Sequence, residues 1–233
     1  MSAVAGAPLP YWRLSGFYFA YFALLGGVAP FLSLYFESLG FSPARIGELV
    51  AIPMLMRCIA PNLWGWLGDA TGQRLLIVRV GALLTALCFA GIFWRQDYWW
   101  LAAIMALHSF FWHAVLPQFE AITLAHLGSQ SARYSQLRLW GSVGFILTVV
   151  LLGLLLQRAG MAVYPMAMFG IMLLIAVCST LVPPPPRQPA SAAVAGDGFL
   201  RRLRQPGVPA FFVAVALMQL SHGPYYTFLS IHL

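Results

Sequence analysis

The chain has 233 residues, 61% of them hydrophobic and only 8% charged, with a mean hydropathy of +0.82. A soluble globular domain carries about 25% charged residues, so this composition excludes one and reads as an integral membrane protein. The thirteen basic residues are all arginine, and the formal charge of +7 is assigned to inter-helix loops rather than to nucleic-acid binding.

Seven apolar runs are marked, each near the roughly 20 residues that a membrane crossing needs. They cover about 12–36, 44–67, 75–94, 98–122, 137–157, 161–182 and 208–231. The fold class expected is all-α: a six-helix transmembrane bundle over 1–182, a linker over 183–207, and over 208–233 the first helix of a further, truncated bundle. With a cytoplasmic N-terminus, nine arginines fall on the cytoplasmic side and three on the other, which sets the expected orientation.

In the first run, Gly26, Gly27 and Pro30 mark a kink or a close-packing point. The second run carries Arg57 about 15 Å from its end, near mid-membrane, where a charge costs roughly 2.5–3.5 kcal/mol. Arg57 is therefore expected to face a cavity and hold a substrate carboxylate, or else to pair with Glu120 or helix carbonyls. The link to the third run reads GWLGDATGQR, with Gly65, Gly68 and Gly72 allowing a tight turn and Asp69 beside Arg74. Trp99 and Trp100 open the fourth run as an interfacial belt.

The stretch from His113 to Phe145 holds the candidate site. Glu120 lies nine residues before the polar break near Ser129 and Arg138 nine after it. Two antiparallel helices would bring the two charges to equal depth. Phe145, seven residues beyond Arg138, returns to the same face as an aromatic plate. Two readings stand for this pair: a structural ion pair tying a hairpin, or a substrate site. His113, seven residues before Glu120, is either a proton relay or a packing histidine. Proline-rich and small residues then make the linker, with FLRRLR as a basic element on the leaflet. In the seventh run His222 and Tyr226 lie one turn apart as substrate candidates. Cys58, Cys88 and Cys178 sit inside apolar runs without a pairing pattern and read as small buried hydrophobes.

The 65–74 segment resembles the loop motif of the major facilitator superfamily, G-x-L-x-D-x-x-G-x-R, at Gly65, Leu67, Asp69, Gly72 and Arg74. Ala70 and Gln73 depart from it where basic residues are frequent. YSQLRLWGSVGF, LPQFEA, Arg57 and SHGPYYTF are together similar to the phenylpropionate permease group, related to lactose permease and to nucleoside–proton symporters. The resemblance implies a major facilitator fold, here the N-terminal bundle plus the start of helix seven. It implies proton-coupled uptake of a small organic solute, such as an aromatic carboxylate, by alternating access. It also implies a substrate-binding role for Glu120, Arg138 and Phe145, and a conformational latch at Gly65, Asp69, Gly72 and Arg74. The fifth helix lacks a glycine–proline antiporter motif, which favours symport over export.

The expected partners are a small-molecule substrate, a proton, the lipid bilayer and a C-terminal half of the same carrier, without nucleic acid. No cofactor or metal is expected, since no phosphate-binding glycine-rich loop or metal-ligand pattern appears. An intramembrane enzyme would need a nucleophile–base pair or paired acids at one depth, and none is found. A nucleoside or sugar symporter and a non-transporting truncated membrane subunit remain as alternatives.

Overall fold

The computed structural model describes residues 9–186, 205, 207–218 and 220, so His222 and Tyr226 lie outside the described residues. The chain divides into two units, Met1–Pro186 and Arg187–Leu233. The described part of the second unit holds a short apolar helix, Val208–Met218.

Six long helices make up the first unit: α1 Tyr11–Ser38, α2 Pro43–Thr71, α3 Arg74–Ala90, α4 Tyr98–Leu127, α5 Tyr134–Ala159 and α6 Tyr164–Leu181. Their limits follow local chemistry. Pro43 opens α2, where its missing N–H costs nothing, and Gly72 ends it in the left-handed region at φ 67°. The Asp97 carboxylate caps α4 by accepting from the Trp100 N–H at 3.3 Å. Helix α1 runs through Pro30 as one helix, and of the two expectations for this stretch close packing is seen, with Gly26 against Phe145 and Gly27 against Met168.

Among the described residues, five helical stretches are long and apolar enough to cross a membrane, and one of them, Tyr98–Ala159, is 62 residues long. As a straight helix it would run about 93 Å, some three times a bilayer core. The 3-10 turn Gly128–Arg133 interrupts it and separates α4 from α5 as two crossings.

Apart from α3 with α4, sequence neighbours are not the main packing partners. Helix α1 packs on α5 and α6, α4 packs on α2 and α3, and α3 packs on α6. Exchanging α1 with α4, α2 with α5 and α3 with α6 leaves this pattern unchanged, as two inverted three-helix repeats require. The expected α4–α5 hairpin is thus corrected: the two helices touch only slightly, and each lies chiefly against the other repeat. Glycine explains why. A Cβ on Gly26 would lie 2.6 Å from the Phe145 carbonyl oxygen, and one on Gly144 would collide with the Phe19 backbone. Only bare backbones let α1 and α5 approach this closely, and in lipid such close packing replaces the hydrophobic effect between helices. The core is centred on α1 and α4, with Phe17, Tyr18, Phe36, Met105, Phe119 and Ile122 essentially inaccessible.

Candidate functional site

Helices α1, α4 and α5 bring the site together. Glycine at 141 lets the Phe22 ring of α1 press against α5, where a Cβ would meet its Cδ2 at 2.7 Å. The Arg138 guanidinium lies over that ring, 3.7 Å from its centroid, and 5.7 Å from the Tyr18 centroid. A cation over an aromatic face is attracted by the ring quadrupole and keeps its N–H edge free for a planar anion.

Glu120 does not meet Arg138. Its Oε1 accepts instead from the Tyr134 hydroxyl at 3.1 Å. Among the described residues the only ion pairs within 4.0 Å are Arg74–Asp69 and Arg95–Asp97. The aromatic plate on Arg138 is likewise Phe22 rather than Phe145, whose backbone packs on Gly26. Both differences follow from packing α5 on α1 rather than on α4. Tyr18 donates to Thr123 Oγ1 at 3.2 Å, and its ring meets Tyr134 edge-on at 6.4 Å, which holds both phenols in place. Tyr21, one turn above Tyr18, donates to the Trp112 carbonyl at 3.5 Å and lies within Coulombic range of Arg57, Glu120 and Arg138.

Arg57 is exposed on α2, with no hydrogen bond or ion pair among the described residues. The alternative pairing with Glu120 is absent there. His113 is half-buried, with its ring stacked on Trp112 at 5.0 Å and within Coulombic range of Arg57. Arg57, Glu120 and Arg138 thus share Tyr21 as a Coulombic neighbour, His113 is tied to Arg57, and Phe145 lies farther along α5.

The 65–74 segment is tied into the same helix that carries Glu120. Arg74 pairs with Asp69 and also donates to Gln118 Oε1 at 2.9 Å. Gln118, 1% exposed, donates in turn to the Trp64 carbonyl at 2.9 Å. A Cβ on Gly68 would lie 2.5 Å from Gln118 Oε1, so that glycine makes room for the amide. Gln118 is a residue the sequence reading missed. Its signal was an amide inside the apolar LPQFEA run, where an unpaired polar group is too costly to be idle. Tyr18, Tyr21, Phe22 and Tyr134 were missed because one aromatic among many carries no mark of its own.

The MFS_1 like family model matches residues 11–233. A maltose permease of Geobacillus stearothermophilus is 32% identical over 173 residues, 72% of this chain and 43% of the permease. A probable 3-phenylpropionic acid transporter of Escherichia coli (strain K12) is 29% identical over 223 residues, 92% of this chain and 57% of that protein. The crystal structure of the nucleoside transporter NupG matches with a TM-score of 0.72 at 18% identity, covering 87% of this chain and 50% of that one. The chain spans about half the length of the curated relatives it matches.

Proposed function

This chain belongs to the MFS_1 like family of multi-pass membrane transporters, and on that premise we propose proton-coupled uptake of a small organic anion, an aromatic carboxylate such as 3-phenylpropionate. The observation that carries this reading is Arg138, a cation on the Phe22 face without a carboxylate in ion-pair range. A substrate carboxylate would take the free guanidinium edge as a bidentate pair, and its ring would extend along the aromatic wall toward Phe145. Arg57 is the second, unpaired cation of the wall. Glu120 is the acceptor at its rim.

Transport follows by alternating access against a second bundle, to which the short apolar helix Val208–Met218 would belong. The N-terminus is cytoplasmic, in a bacterial inner membrane. The Gly65–Gly72 segment, the end of α2 and its glycine cap, latches one access state with the Asp69–Arg74 pair. His113 is the candidate proton relay within this half, with Glu120 beside it. The similarity to a maltose permease supports a second reading, a sugar or nucleoside symporter, in which Glu120 and the tyrosines would take hydroxyl donors. Uptake by cells making the chain together with its completing half separates the two readings. Labelled aromatic acids, nucleosides and sugars are offered under a proton gradient. Accumulation of the acids alone is expected, and accumulation of sugars or nucleosides without the acids overturns the anion reading.

A further inference from the structure

Helix α5 begins at Tyr134, and Arg138 follows it by one turn on the same face. Glu120, on α4, could satisfy its carboxylate with either. Attraction favours the cation, since an oppositely charged pair in a water-poor site interacts far more strongly than a carboxylate with a phenol. The structure has the other arrangement. Tyr134 donates to Glu120 Oε1 at 3.1 Å, while Arg138 sits on Phe22 beyond ion-pair distance. The phenol is itself braced: its ring meets Tyr18 edge-on at 6.4 Å, and the Tyr18 hydroxyl is anchored on Thr123, which donates to the Phe119 carbonyl at 2.9 Å.

We propose that Tyr134 is a positioning residue that holds Glu120 out of an ion pair with Arg138, keeping the guanidinium open for an incoming anion. A hydroxyl suits this role because it satisfies a carboxylate oxygen without cancelling its charge. A lysine or arginine at 134 would neutralise Glu120, and a phenylalanine would release it to the nearest cation. The proposal rests on the reading of Arg138 as the anion-binding group, and its structural half can be tested without any substrate.

The experiment compares melting temperatures of the 233-residue chain in detergent for Glu120→Gln, Arg138→Gln and the double variant, each with Tyr134 and with Tyr134→Phe. With Tyr134 present the two substitutions should be additive, as for residues not in contact. With Tyr134→Phe they should couple by roughly 2–4 °C. A tyrosine that only packs would lower every melting temperature without creating that coupling. Equal coupling in both backgrounds, or none in either, overturns the proposal. A structure of the Tyr134→Phe chain answers the same question without Arg138 variants. Glu120 and Arg138 should then lie within ion-pair distance, and continued separation sinks the idea.

A second arm uses 3-phenylpropionate with the chain and its completing half. Binding should weaken about tenfold in Tyr134→Phe. Unchanged binding counts against the role of Tyr134. No binding by the natural sequence, alongside the expected coupling, counts against the substrate reading and leaves Tyr134 as assigned.

Discussion

Glu120 and Arg138 show how a single hydroxyl decides what a charge does. With its carboxylate held by Tyr134, Glu120 is an acceptor that a substrate donor can share. Glu120→Gln should therefore damage binding and homologous exchange alike, whereas a residue that only couples the proton would spare exchange. Full binding and exchange with loss of proton-driven accumulation would show that Glu120 carries the proton instead. Arg57 has no partner among the described residues to lose, so Arg57→Gln should leave the fold intact. Uptake of an aromatic anion should fall at least about tenfold more than uptake of a neutral analogue, the difference that one lost charge-assisted contact makes. An equal fall for both solutes would make Arg57 structural. Gln118 differs from both, because its loss strands polar groups. Gln118→Leu removes partners from the Arg74 guanidinium and the Trp64 carbonyl, at a cost of about 1–3 kcal/mol. A lowered melting temperature in detergent is the expected reading, and an unchanged one would mean that water or lipid replaces the amide.

At the scale of elements, the contact between α1 and α5 sets the site, and glycine sets the contact. Gly144→Ala places a methyl group against the Phe19 backbone, which cannot rotate away as a side chain could. Overpacking of this kind costs about 1–3 kcal/mol and should push α1 from α5, lifting Phe22 off Arg138. Gly16→Ala on α1 is the control, since nothing lies within 4 Å of a Cβ there. Thermal unfolding of the two variants should separate them clearly, and equal melting temperatures would mean that the helices adjust freely. The other helix ends are tied more locally. Arg79 of α3 donates to the Ser179, Thr180 and Val182 carbonyls at the end of α6, at 3.0–3.4 Å. A cation there satisfies carbonyls that the helix leaves open and opposes its dipole.

For the whole molecule, the proposed function makes the six-helix unit one wall of a site. Helix α2 buries only Leu49, Pro53, Ala60 and Gly68, and α5 only five residues, so each presents a broad face away from the core. Alternating access needs a second bundle to close against that wall. The 233-residue chain in liposomes, with no partner chain, is accordingly expected to show no pH-gradient-driven uptake of aromatic acids. Measurable accumulation by the purified chain would overturn the two-bundle mechanism.

The sequence by itself determined the class, the six apolar helices of the first unit to within a few residues, and the Asp69–Arg74 pairing at the short link after α2. Those features are local: a bilayer demands runs of fixed length and closed backbone hydrogen bonding, and both can be read along the chain. Which helices touch was not local. Gly26 reads as a kink or close-packing point and Gly144 carries no mark, but neither names its partner; their bare backbones seat α5 on α1. That contact gives Arg138 the Phe22 ring and gives Glu120 to Tyr134 rather than to the cation eighteen residues away. Depth along a helix follows from counting residues, but the rotation and partner of that helix follow only from packing, and the side-chain pairs of the site depend on both.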